Sequence, residues 1–246
     1  MNQITLPDAK HEQDFVIGVE IGQARNFTAI AIFERIEALT GKAEKGRWTT
    51  QVRYDLRHLE RPPLGTSYPA IIDRLKKLIA RLSAHRRLKL VVDQTGYGRP
   101  VIDLMRREKL IITLIAITVA GVAHLNNGAY HVPKFELVSN LQILLQSRRL
   151  AIDSALPEAK TLVEQLQNFE EKTTAAGDDA YDAWRKGDHD DLLLASAIAC
   201  WYGEKKLGSI LHLPPMPRPP IEMRPPTMDE LWAMQPKNYP EETPRI

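Results

Sequence analysis

The chain has 246 residues, of which 43% are hydrophobic, so it is long and apolar enough to build one sizeable core. Lys and Arg total 33 against 31 Asp and Glu, and a net charge of +2 is too small to indicate a polyanionic partner by composition alone. A single cysteine excludes an internal disulfide, and no apolar run is long enough to cross a membrane, so we expect a soluble, cytoplasmic protein without a membrane partner.

The first third of the chain predicts three strands and a helix. Residues 15–19 and 27–33 are nearly continuous apolar runs, as buried strands are, and residues 48–56 have the Thr, Val and Tyr content of a third strand. An antiparallel meander is the simplest arrangement of these three strands. Between residues 67 and 82, Ile and Leu recur at helical spacing with Lys and Arg between them, which predicts an amphipathic helix.

The middle of the chain predicts strands that alternate with helices, which is the order of an α/β protein. The pattern predicts a strand at 88–92, a helix from near Pro100, a strand at 110–118, a hairpin or long excursion within 119–132, a helix at 134–147, a short strand at 150–153, a helix at 157–171, a polar loop or short hairpin at 172–187 and a last helix at 189–201. The strongest turn signal is Asn126-Asn127-Gly128. The last helix is apolar and rich in small residues, so we expect it to lie flat on the sheet.

Composition divides the chain into three parts. Ten of its 17 prolines fall between Pro214 and Pro244, which disfavours regular packing and favours extended chain. We therefore predict an N-terminal extension at 1–14, one α/β domain at 15–206 and a proline-rich tail at 207–246.

Acidic residues stand where three of the predicted elements end or begin. Glu20 follows the first strand, Asp93 ends the fourth strand, and Asp190 with Asp191 opens the last helix. A sheet in which the first and fourth strands are neighbours would bring these acids together. Such a cluster suits Mg²⁺ or Mn²⁺, and two ions held about 4 Å apart can activate a water and stabilise the leaving oxygen of a phosphodiester. Each acid alone is also typical of an exposed strand end, a turn or a helix N-terminus.

Several basic residues belong to segments that we expect to lie near these acids. Those that we expect to contact DNA phosphates are Arg25, Arg99, Lys134, Arg185 and Lys186. The alternative for each of them is a basic residue that solvates a helix face. His189 is an auxiliary candidate that could orient a water or bind metal, and its alternative is a helix cap.

Three segments together resemble the nuclease domain of the phage terminase large subunit, which has an RNase H-like fold. They are Gly-Val-Glu-Ile-Gly-Gln-Ala-Arg-Asn-Phe-Thr-Ala-Ile-Ala at 18–31, Val-Asp-Gln-Thr-Gly-Tyr-Gly-Arg-Pro-Val at 92–101 and Gly-Asp-His-Asp-Asp-Leu-Leu-Leu-Ala at 187–195. The resemblance extends over about residues 15–202. It implies a mixed sheet, with a three-stranded antiparallel meander and then parallel strands, flanked by helices.

The resemblance also implies an activity, which is metal-dependent cutting of double-stranded DNA during genome packaging. It places the catalytic acids at Glu20, Asp93, Asp190 and Asp191, and a two-metal site for Mg²⁺ or Mn²⁺ at Glu20, Asp93, Asp188 and Asp191. The implied partners are double-stranded DNA, a separate packaging ATPase, the small terminase and the portal protein. The implied setting is the cytoplasm of a bacterial host, with the gene carried by a phage or prophage.

The sequence departs from the family in ways that keep other functions open. Glu20 stands where the family usually has Asp, and Asn26 stands where an acid is common. The chain also contains no G-x-x-x-x-G-K-[ST] phosphate loop, so we expect no packaging ATPase domain in it. The alternatives are a catalytically weakened DNA-binding or assembly module of the same fold and a nuclease like the Holliday-junction resolvases. A sugar-kinase-like or actin-like nucleotide binder is a third, because residues 20–23 resemble their first phosphate-binding turn.

Overall fold

The structure is a computed structural model that describes residues 12–22, 26–42, 48–82, 87–95, 98–176 and 190–208, and the account below concerns these residues. The strands are β1 (Glu12–Glu20), β2 (Ala29–Lys42), β3 (Trp48–Glu60), β4 (Arg87–Asp93), β5 (Ile112–Thr118), β6 (His124–Asn126), β7 (Ala129–Pro133) and β8 (Leu150–Ile152). The helices are α1 (Tyr68–Leu82), α2 (Gly98–Arg107), α3 (Lys134–Gln146), α4 (Ala159–Ala176) and α5 (Asp191–Lys205). None of the described helices is both long and apolar enough to span a bilayer.

All eight strands form one sheet in the order β6-β7-β5-β4-β1-β2-β3-β8. β1, β2 and β3 make the expected antiparallel meander. β4 then pairs in parallel with β1, β5 in parallel with β4, and β7 in parallel with β5. The predicted mixed sheet, an antiparallel meander followed by parallel strands and flanked by helices, is confirmed, and β1 and β4 are neighbours as the site prediction requires.

The sheet separates two hydrophobic layers because successive side chains of a strand point to opposite faces. Ile17 and Val19 of β1 face the layer that contains α1 and α2, whereas Val16 faces the layer that contains α3, α4 and α5. α5 lies directly on β1. A Cβ atom on Gly18 would come within 2.0 Å of the Ala195 carbonyl oxygen, so only glycine allows the helix this close.

β2 is longer than the sequence predicted. The apolar run ends at Phe33, but the strand continues to Lys42 through charged residues that lie inside the structure. Arg35 is buried and its guanidinium lies 3.5 Å from the buried Asp14 carboxylate on β1. Glu34 is also buried and pairs with Arg57 of β3 at 2.6 Å. Cross-strand charge pairs thus extend a strand that an apolar pattern alone would end. They also explain why β1 begins at Glu12, before the predicted boundary at residue 15.

The connections differ from the sequence prediction at one helix. α4 was expected to end near residue 171, with a loop or hairpin at 172–187, but it continues to Ala176. No glycine or proline interrupts residues 172–176, so nothing local ends the helix before Gly177. Residues 177–189 and the tail beyond residue 208 lie outside the described residues. The expected hairpin is present as β6 and β7, with left-handed backbone at Asn127 and Gly128 (φ of 48° and 78°).

Candidate carboxylate site

Glu20 and Asp93 lie side by side at the carboxyl edge of the sheet. β1 and β4 run parallel with Val19 opposite Val92, so the next residue of each strand is one of the two acids. Both residues end an apolar strand, and this local pattern is what the sequence showed. The sheet order then brings the two carboxyl groups together.

These two carboxyl groups share an unusual electrostatic environment. Burial raises the pKa of Glu20 well above its ordinary value, and the charge of Asp93, a hydrogen bond with Asp93 and the charge of Asp190 raise it further, against the opposing charge of Lys134. Burial also raises the pKa of Asp93, although hydrogen bonds from Thr95 act in the opposite direction. Two adjacent acids that share a hydrogen bond therefore hold a proton more readily than two separate carboxylates.

Thr95 fixes the orientation of Asp93. Its backbone N–H and its hydroxyl donate to Asp93 Oδ1 at 2.9 Å and 2.6 Å, and its Oγ1 accepts a hydrogen bond from the Ile117 N–H at 2.7 Å. This Asx turn ties Asp93 to β5 and holds its carboxylate through Oδ1. Sequence reasoning did not identify Thr95, although Asp-x-Thr directly after a strand was the signal that could have found it.

The start of α5 brings a third acid to the same edge. Asp190 is the residue before the first turn of α5, and its carbonyl accepts the Leu194 N–H at 2.8 Å. Its side chain makes no hydrogen bond to the helix end and instead forms an ion pair with Lys134, the first residue of α3. Because Gly18 lets α5 rest on β1, the Asp190 carboxylate is close enough to Glu20 to affect its pKa.

Asp191, the next residue, contacts side chains of other elements. Its carboxylate is buried, accepts a hydrogen bond from the Gln165 amide at 3.3 Å and lies 3.9 Å from Arg61 Nε. Gln165, on α4, also accepts the Leu193 N–H at 2.9 Å, so one side chain holds two residues of the first turn of α5. Arg61 in turn pairs with Glu158 at 3.0 Å. Sequence reasoning identified neither Gln165 nor Arg61, because their relation to α5 appears only in the folded chain.

The remaining predicted site residues cannot be placed in the same way. Arg25, Arg185, Lys186, Asp188 and His189 lie outside the described residues, and of Arg99 only the backbone, within α2, is described. Within the described ranges no three Asp, Glu, His or Cys side chains converge as a complete metal site.

The acids that are described nevertheless fit a hard divalent cation. Glu20 Oε2 is buried and has no hydrogen-bond partner among the described residues, and it lies in a cluster with Asp93 and Asp190 whose only described cation is Lys134. Carboxylate oxygens are the ligands that Mg²⁺ and Mn²⁺ prefer. An orphaned carboxylate oxygen next to a second acid is what a cation of this class would satisfy.

Comparison with known proteins finds similarity to phage terminase large subunits. No family model matches the chain. The chain is 26% identical over 136 residues to the terminase large subunits of Thermus phage G20c and Thermus virus P23-45, a match over 55% of this chain and 25% of each relative. The chain thus spans about a quarter of the length of these relatives. The resemblance to the phage terminase large subunit that the motifs indicated is confirmed.

A solved structure gives a weaker likeness. It is the nuclease domain of the large terminase of bacteriophage SPP1, with bound Mn, at 11% identity and a TM-score of 0.35, covering 63% of this chain and 68% of that one.

Proposed function

We propose that this chain is a metal-dependent endonuclease that cuts double-stranded DNA, corresponding to the nuclease part of a phage packaging terminase. The similarity to two terminase large subunits supports the family, and one structural observation supports the activity. That observation is the Glu20–Asp93 pair at the ends of adjacent parallel strands, where two acids share a hydrogen bond and no arginine among the described side chains pairs with them. Purely structural carboxylates in a protein interior are instead paired with cations or fully hydrogen-bonded.

Glu20, Asp93 and Asp190 would hold a divalent Mg²⁺ or Mn²⁺ ion in this proposal. Such an ion supplies activation of the attacking water and stabilisation of the leaving oxygen of the phosphodiester. The chain's own contribution is to fix the ligands: Thr95 orients Asp93, Gly18 admits α5 to the sheet, and Gln165 holds the first turn of α5. Asp188, Asp191 and His189 remain predicted participants, and a second metal ion remains a prediction with them.

The DNA contacts remain predictions from the sequence. Lys134 stands at the carboxyl edge of the sheet beside the acids, where it can meet a phosphate that approaches them. Arg25, Arg99, Arg185 and Lys186 are proposed to contact the same backbone. A packaging ATPase, the small terminase and the portal protein are proposed partners on the basis of the similarity to terminase large subunits.

The test is cleavage of supercoiled plasmid DNA in Mn²⁺ or Mg²⁺. We expect Asp93→Asn to reduce cleavage at least about a hundredfold, because it removes one ligand charge from the site. Asp103→Asn is the matched control, because Asp103 is 65% exposed and pairs only weakly with Arg106 on α2. Cleavage that survives Asp93→Asn would contradict the proposed site. A wild-type chain that binds DNA and never cuts it would instead favour the weakened DNA-binding module to which Glu20 points.

A further inference from the structure

The ion pair between Lys134 and Asp190 joins two helices at the acidic edge. Lys134 is the first residue of α3 and Asp190 immediately precedes α5, and their side chains are 15% and 26% exposed. β7 ends at Pro133, next to the end of β5, so the fold delivers the Lys134 ammonium to the same edge as Glu20 and Asp93. The charge of Lys134 lowers the pKa of Glu20 and its ammonium pairs with Asp190, so one positive charge acts on two of the acids.

This pair is held in place by the fold and not only by its own attraction. α3 and α5 are also joined by a hydrogen bond from the buried Trp201 indole N–H to Glu136 Oε1 at 2.8 Å. Gln165 independently fixes the first turn of α5. Because other contacts set the positions of both helices, neutralising Lys134 changes the charge at the site more than it changes the backbone.

The ammonium of Lys134 occupies an oxygen of an acid that a divalent cation would use. Asp190 is the described acid of α5 whose charge reaches Glu20, whereas Asp191 contacts Gln165 and Arg61. A cation that binds between Glu20 and Asp93 would therefore find one Asp190 oxygen already bound to Lys134 and would have to share that carboxylate with the ammonium. Two positive charges at one carboxylate also repel each other.

We propose that Lys134 is a resident counter-ion of the carboxylate site, which competes with the divalent cation for Asp190 and so weakens cation binding. This inference rests on the proposed function, since it assumes that the site binds a divalent metal. Lys134 then has a role beyond phosphate contact. Its ammonium reduces the electrostatic repulsion between the acids before the cation binds. Lys134 is then a residue that sets the metal affinity of the site.

The experiment is direct Mn²⁺ titration without DNA, by calorimetry and by the loss of the free Mn²⁺ resonance in electron paramagnetic resonance. We expect Lys134→Met to bind Mn²⁺ about tenfold more tightly than the wild type, and Lys134→Arg to stay near the wild type. Lys160→Met is the matched control, because Lys160 is 90% exposed and pairs with Glu164 on α4, so its Mn²⁺ affinity should not change. In an Asp190→Asn background, Lys134→Met should lose most of its effect.

The outcomes separate this inference from the proposed function. Mn²⁺ binding to Lys134→Met that is unchanged or weaker, with a folded circular dichroism spectrum, would overturn the counter-ion role and leave the metal site standing. A wild type that binds no Mn²⁺ would overturn both proposals. If Lys134→Met does not fold, Lys134→Gln removes the same charge with a polar side chain, and its Mn²⁺ affinity decides the question by the same criterion.

Discussion

β1 carries a carboxyl residue near each of its ends, the buried Asp14 and the half-buried Glu20, and the charged groups around the two differ. Asp14 lies 3.5 Å from the guanidinium of Arg35, which is itself buried, so a positive charge compensates it. Glu20, six residues later, shares a hydrogen bond with another acid and has an oxygen without a partner among the described residues. The same strand thus has one acid paired directly with a cation and another that shares its hydrogen bond with an acid, with the charge of Lys134 opposing. The charged partners of the two acids distinguish the candidate site from the core.

The largest effect should come from breaking the compensated end. We expect Arg35→Met to lower the free energy of unfolding by about 3–5 kcal/mol, because it leaves Asp14 as an uncompensated buried charge. Urea denaturation at pH 7 measures this change. Arg53→Met on β3 is the matched control, since Arg53 is 60% exposed and lies 3.5 Å from Asp55, and it should cost less than about 1 kcal/mol. Equal losses in the two variants would remove the distinction between the two ends.

A change at the other end of β1 should have the opposite sign. We expect Glu20→Gln, in the presence of EDTA, to raise the free energy of unfolding by about 1 kcal/mol at pH 8, because the neutral amide lies beside Asp93 without having to take up a proton that the unfolded wild type has released.

The effect of Glu20→Gln should also depend on pH. Above pH 4.5 the unfolded chain releases the Glu20 proton, whereas the folded protein retains it because its pKa is raised. Wild-type stability should therefore fall as pH rises from about 5 towards the folded pKa, relative to the variant. Unfolding curves at pH 5 and pH 8 test this prediction, and a variant less stable than the wild type at pH 8 would contradict it.

The smallest effect is expected at an ordinary, compensated carboxylate outside both ends. Burial alone would raise the pKa of Glu60, but hydrogen bonds and charge from His58 and Arg74 outweigh it and lower the pKa to about 2. Glu60 thus stabilises the fold above its ordinary pKa of 4.5, and this contribution is lost as pH falls from about 4.5 towards 2. We expect Glu60→Gln to cost about 1 kcal/mol or less at pH 7, since Arg74 is half exposed.

The measurement for Glu60 is the difference in unfolding free energy between the wild type and Glu60→Gln at pH 7 and at pH 3. The wild type should be more stable than Glu60→Gln at pH 7, and this difference should shrink at pH 3. Its sign is opposite to that at Glu20, where we expect the variant to be the more stable protein. A difference that grows on acidification would show that Arg74 and His58 do not stabilise the ionised form.

The sequence was sufficient for the order of the elements and for two of the acids. Apolar runs that end at Glu20 and Asp93 mark two strands, and the two acids can meet only if these strands are neighbours, as they are in the sheet. The apolar run at residues 27–33 does not predict the second half of β2, because the buried residues there are charged. Their burial is explained only by their partners on β1 and β3. Burial of paired charges has no periodic signature in one sequence.

The separation of Asp190 from Asp191 was also beyond the sequence. Adjacent residues at a helix start point in different directions, but the direction that leads to the site depends on where the helix lies. Asp190 meets Lys134, and Asp191 meets Gln165 and Arg61, which lie 26 and 130 residues earlier in the chain. Such long-range contacts leave no local pattern in the sequence. The sequence therefore indicates the acidic cluster but not which of its acids contacts which partner.

Gly18 lies on β1 between Asp14 and Glu20, and the residue at this position can be compared among relatives. Its missing side chain sets the separation between α5 and the sheet, because even one methyl group would meet the Ala195 backbone. A relative with alanine or a larger residue at this position would have to lift or shift the helix, and its third acid would move with it. The identity of this one residue therefore indicates, from an alignment alone, which homologues can bring three acids to the same edge.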